Sequence, residues 1–156
     1  MTGPAMSAER TTVVVAVDES EAARAALRWA DGQAHLAGAP LKVVHAFQPH
    51  HLAGVFGIAK LRPDAEWRAD AQRWLMEIVT AEIGDASDVE LEAHLAADGP
   101  AAAVLAAAEG AGLIVVGARG RGAAGSALHG SVSSGVLRHA SCPVVVVPID
   151  ERTRVR

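Results

Sequence analysis

Hydrophobic and polar positions fall into blocks of two kinds along this chain. Residues 12–17 (T-V-V-V-A-V) form a β-branched run closed by Asp18, the pattern of a strand buried on both faces. Ser20 stands where a helix N-cap belongs, and Ala22, Ala25, Ala26, Trp29 and Ala30 recur at helical spacing until Gly38-Ala39-Pro40 stops the run. A second strand is read at residues 41–47. Residues 48–64, with Pro49, Gly54, Gly57 and Pro63 and no clean period, read as a loop. A second helix then carries Trp67, Ala71, Trp74, Leu75 and Ile78 on one face. Residues 88–95 (D-V-E-L-E-A-H-L) alternate as a strand with one covered face would.

Asp98-Gly99-Pro100 opens a third helix, because proline suits a first helical turn, and Ala101, Val104, Leu105 and Ala108 form its stripe. Gly110 and Gly112 end it. A fourth buried strand at residues 113–116 runs into Gly117, a glycine-rich stretch follows, and residues 131–139 make a short fourth helix. Residues 143–147 (P-V-V-V-V) are the fifth strand. Residues 11–149 read as one domain between a flexible start, 1–10, and a flexible charged tail, 150–156. Strands alternating with helices mean crossover units, hence an α/β fold with a doubly wound, five-stranded parallel sheet and helices on both faces, Rossmann-like. Ligands of such sheets sit beyond the C-terminal strand ends, where the winding reverses.

Composition narrows the functional classes. The chain has 156 residues, 51% hydrophobic and 21% charged, which suits one globular domain. Aromatics are 3%, so the core is aliphatic and stacking platforms for single-stranded nucleic acid are scarce. A net charge of −4 argues against binding a polyanion, so no nucleic-acid partner is expected. Cys142 is the single cysteine and excludes an internal disulfide. No apolar run approaches the ~20 residues of a membrane span. The first ten residues lack an apolar signal core, so a cytoplasmic location is expected and no membrane partner.

Charge is unevenly placed. Residues 110–149 contain Arg119, Arg121 and Arg138 and no acidic residue, which suggests a small anion as ligand. The same segment holds the glycine-rich stretch, between a buried strand and a helix. Glycines let backbone N–H groups converge on phosphate oxygens, Ser131 and Ser133 add hydroxyls, and a helix N-terminus adds partial positive charge. Gly120, Gly122 and Gly125 satisfy G-x-G-x-x-G, but further loop and Gly130 intervene before the helix and a single strand follows, unlike a dinucleotide fold. Gly125-x4-Gly130-Ser131 lacks the lysine of a Walker loop. No G-x-S-x-G elbow surrounds any of the serines, so no hydrolytic nucleophile and no catalytic residue is assigned. His50-His51 are adjacent in sequence with no third ligand evident, so no metal site is assigned. His45 and His94 read as packed strand residues, Cys142 as packing, and the tryptophans as core stripes.

A longer pattern fits better. Gly117-x2-Gly120-x9-Gly130-Ser131, the opening V-A-V-D-E-S-E-A-A-R-A-A-L-R-W-A, the A-D-G-P before the third helix and the closing G-S-V-S-S-G-V-L-R-H-A-S-C-P-V-V-V-V-P occur in order. Together they resemble the universal stress protein family over nearly the whole chain. The resemblance implies strand order 3-2-1-4-5 and ATP, with magnesium, held across the ends of the first and fourth strands, AMP and cyclic AMP being the alternatives. Carried onto this chain, it implies that Ala16 and Asp18 lie beside the nucleoside and that Ala46 meets the adenine through its backbone. Asp18 has a second reading as a turn residue at the helix start. Gly117, Ala118, Arg119, Gly120, Arg121, Gly122 and Ala123 are implied around the ribose and phosphates, and Gly130, Ser131, Val132 and Ser133 at the phosphates. The resemblance further implies a homodimer in which the last strands, from Pro143 to Val147, pair antiparallel. The expected function is nucleotide sensing in stress adaptation, with slow or no hydrolysis and with self-phosphorylation on Ser131 or Ser133 left open. The alternative is a nucleotide-independent interaction protein of the same family. The protein partner is not legible.

Overall fold

The computed structural model describes residues 11–47, 64–85, 87–118 and 130–149, Asp64 by its backbone alone. Among these residues nine elements alternate: β1 (Val13–Ala16), α1 (Glu21–Ala37), β2 (Leu41–Ala46), α2 (Asp64–Ile83), β3 (Leu91–Ala96), α3 (Pro100–Ala107), β4 (Leu113–Gly117), α4 (Ser131–His139) and β5 (Val144–Val147). The five strands make one sheet in the order β3-β2-β1-β4-β5, every neighbouring pair parallel. This is the doubly wound sheet, with the strand order, that the sequence led us to expect.

Local chemistry accounts for the boundaries. Ser20 is the N-cap of α1, its Oγ accepting the Ala23 N–H at 3.1 Å. Gly38 ends the helix at φ +59°, a left-handed conformation that glycine adopts without a Cβ penalty. Pro100 occupies the first turn of α3, where its missing N–H costs nothing. β3 begins later than the alternation suggests. The Leu41 N–H starts the ladder on the Glu90 carbonyl at 2.8 Å, while Ser87 and Asp88 are turned back to Asp31 and His35 of α1.

Two cores flank the sheet, one on each face. Val13, Val15, Leu41 and Val43 pack with α1 and α2 through Ala26, Leu27, Ala30, Leu75 and Ile78. Val14, Val44, Ile114 and Val116 pack on the other face with α3 and α4 through Ala103, Val104 and Val136. Alternate residues of the central strands thus feed opposite cores, which is why their sequences read as continuous apolar runs.

One sequence expectation fails here. Trp29 is 39% exposed and does not belong to a core stripe. The buried face of α1 is Ala22, Ala23, Ala26, Leu27, Ala30 and Ala34. An alanine-lined helix approaches a sheet closely, and an indole fits only on its flank. Trp74, by contrast, packs against the core beside buried Leu75.

Candidate functional site

The winding reverses between β1 and β4, and an open cleft lies at the C-terminal ends of these strands and of β2. It has two adjoining chambers whose walls share Asp18, Ser20, Gly117, Val132 and Ser133. The inner chamber, about 110 Å³, is apolar: Ala16, Val44, Ala46, Val104, Val116 and Pro100 supply its walls. The outer chamber, about 210 Å³, runs past Ala118 to Gly130 and Ser131 at the start of α4, with Ile149 at its margin. An apolar slot leading to a polar mouth suits a ligand with one flat apolar end and one charged end.

The polar mouth is built by backbone. Within α4 the first helical N–H to find a carbonyl is that of Ser134, on Gly130 O at 2.9 Å. The N–H groups of Ser131, Val132 and Ser133 therefore have no carbonyl within the helix and are oriented along its axis, where its dipole is positive. Asp18 is exposed beside them, and its Oδ1 accepts the Ser20 N–H at 2.8 Å. Asp18 thus shapes the turn at the start of α1, as its second reading has it, and borders the cleft.

The candidate residues divide as follows. Ala16, Asp18, Ala46, Gly117, Ala118, Gly130, Ser131, Val132 and Ser133 all line the cleft. Arg119, Gly120, Arg121, Gly122 and Ala123 lie outside the described residues, as do His50 and His51. Ser133 is 2% exposed and its hydroxyl donates to the Gly117 carbonyl at 3.2 Å, so that proton braces β4 against α4. Gly117 is constrained by packing, since a Cβ there would stand 2.5 Å from the carbonyl carbon and oxygen of Ala22.

Val44, Val104, Val116, Pro100 and Ser20 also line the cleft and escaped the sequence reading as site residues. Their signal was present in part. Val44 and Ala46 are two apart on one strand and must share a face, but which helix covers that face is a tertiary matter. Away from the cleft mouth, Cys142 is half-buried, and desolvation raises its thiol pKa, which disfavours the reactive thiolate.

A five-stranded parallel sheet wound in this order, with a cleft at its switch point, defines the doubly wound class of α/β protein. The family model of the universal stress protein family matches residues 9–148, and the chain belongs to that family. It is 38% identical over 147 residues to the universal stress protein Rv2623 of Mycobacterium tuberculosis, covering 86% of this chain and 46% of that one. The chain therefore spans about half the length of the curated relatives it matches. Among solved structures it resembles the universal stress protein from Archaeoglobus fulgidus in complex with dAMP, at 28% identity and TM-score 0.63, covering 88% of this chain and 97% of that one. It also resembles a universal stress protein in complex with cAMP, at 25% identity and TM-score 0.66, covering 89% and 97%.

Proposed function

We propose that this chain binds an adenine nucleotide in the cleft between β1, β2 and β4, ATP with magnesium being the first candidate and AMP and cyclic AMP the alternatives. The observation that carries the reading is an apolar chamber bordered by Val132 and Ser133, in the first turn of α4. The base would lie against Ala16, Val44 and Ala46, the ribose near Asp18, and the phosphates at the N–H groups of Ser131 and Val132. A helix N-terminus carries roughly half a positive charge, which favours phosphate there. The dAMP and cAMP complexes of the two relatives support an adenine nucleotide as the class.

The role that follows is sensing. Nucleotide occupancy would change the surface around the cleft and so the affinity for a protein partner in cytoplasmic stress adaptation. Efficient hydrolysis is not part of the proposal, because the mouth offers Asp18 as its one described carboxylate and that carboxylate already holds the turn. A homodimer through the edge of β5 completes the reading. That strand presents four valines and no charge, whereas the opposite edge, β3, carries Glu92 beside Lys42 at 3.6 Å, a common protection of exposed edges.

Calorimetric titration of nucleotide-stripped protein with ATP and magnesium, cyclic AMP and NAD tests the proposal. Micromolar binding of an adenine nucleotide is expected, ~8 kcal/mol by affinity arithmetic. Gly130→Asp is the matching variant. Aspartate is a good N-cap, so α4 should persist, but its carboxylate would meet the phosphates; affinity should fall at least ~100-fold. No binding by folded protein would favour the nucleotide-independent interaction protein instead.

A further inference from the structure

We propose that His45 is a positioning residue for this cleft, acting from the opposite face of the sheet through the carbonyl of Val17; the role rests on the nucleotide reading above. His45 lies on β2 with Leu41 and Val43, on the face covered by α1 and α2, whereas the cleft is walled by Val44 and Ala46 on the other face. Its Nδ1 is 2.9 Å from the Val17 carbonyl oxygen. A carbonyl only accepts, so Nδ1 carries the proton and donates. The Val17 N–H in turn donates to Val44 O at 2.9 Å. The residue that follows β1 is thus gripped twice by β2, at its N–H by backbone and at its carbonyl by imidazole.

That carbonyl belongs to the planar peptide whose N–H is that of Asp18. Holding one end of the plane sets the direction in which Asp18 leaves the strand, and Asp18 borders both chambers. The imidazole is itself held: the Trp74 ring of α2 lies 4.5 Å from it, centroid to centroid, tilted by 45°. Trp74, His45 and Val17 therefore form a packed line from α2 to the turn that carries Asp18. The binding geometry at the mouth should depend on a side chain that never touches the ligand.

The test compares His45→Asn, His45→Gln and His45→Leu with unaltered protein, by titration with ATP and magnesium and with cyclic AMP. The asparagine amide nitrogen falls near the place of Nδ1, whereas the glutamine amide reaches past it. His45→Leu should weaken binding roughly 10-fold, His45→Asn should stay within about 3-fold of the unaltered protein, and His45→Gln should follow leucine. In ¹⁵N-histidine spectra the proton of His45 should sit on Nδ1 and its resonance should move when nucleotide is added. Leucine binding within about 3-fold of unaltered protein, or a bare Nδ1, would overturn the role. If the leucine variant does not fold, the two amides decide, and equal affinities for them overturn it. Failure of unaltered protein to bind either nucleotide is a separate result, which overturns the nucleotide reading and this role together.

Discussion

Gly117 shows how a single residue can satisfy two demands. It lines the cleft, and it also lets β4 approach the backbone of Ala22 in α1 too closely for any side chain. Gly117→Ala should therefore destabilise the protein without any nucleotide present, by about 2 kcal/mol, since overpacking against backbone has no flexible partner to give way. Differential scanning calorimetry of stripped protein should show the midpoint falling by roughly 5 °C; an unchanged midpoint would mean that the strand end relaxes freely. The sequence marks this glycine through its spacing from Gly130, but the contact with Ala22 joins a strand to a helix far away along the chain. Ser133 teaches the same lesson, because nothing local reveals that its hydroxyl donates to Gly117.

At the scale of elements, helix ends were the most legible feature. Ser20, Gly38 and Pro100 act through their own backbone chemistry, and each stands where local rules put it. The buried face of α1 was less legible, because its alanines extend past the buried positions: Ala25 is half-buried and Ala37 exposed, whereas Ala23 and Ala34 are buried. Besides their shared apolar core, α1 and α2 are joined by an ion-pair cluster that no local pattern announces. Arg24 reaches Glu82 at 2.8 Å, and Arg28 bonds the other carboxylate oxygen. Burial raises the Glu82 pKa, but the hydrogen bonds and charges of the two arginines outweigh it and hold the carboxyl below its ordinary value of 4.5. The folded state thus favours ionised Glu82. Its contribution is fully present above the unfolded pKa and is lost as pH falls through the lower, folded value. Glu82→Gln should cost about 1 kcal/mol at pH 7, a modest figure because both arginines are partly solvated. It should also flatten the acid limb of the stability curve below about pH 4.5. Urea titrations from pH 3 to 7 would check this, and an acid limb parallel to that of the unaltered protein would contradict it.

For the whole molecule, the sheet order decides both where the cleft opens and which edges are left. Pro143, just before β5, and Val147 at its end accept hydrogen bonds from the N–H groups of Ile114 and Ala118 on the β4 side, so by strand alternation the backbone groups of Val144 and Val146 face outward. In the proposed homodimer those outward groups would pair with a second copy. Val146→Pro removes one outward N–H and leaves the inward ladder intact. Sedimentation should then find a dimer for the unaltered chain and a monomer, folded by circular dichroism, for the variant; identical sedimentation would place any assembly elsewhere. The sequence by itself determined the alternation of strands and helices, their caps and their parallel pairing, because hydrophobic periodicity and the crossover rule act over short stretches of chain. Its motifs, by resemblance, also carried the strand order and most of the cleft's backbone positions. Only the tertiary structure decided which helix covers which face of β2, so that Val44 and Ala46 wall the cleft while His45 reaches Val17 from behind. It alone decided that Trp29 stays on a flank and that Gly117 must admit Ala22. Those outcomes depend on distances between elements remote in sequence, which close packing sets and no local pattern encodes.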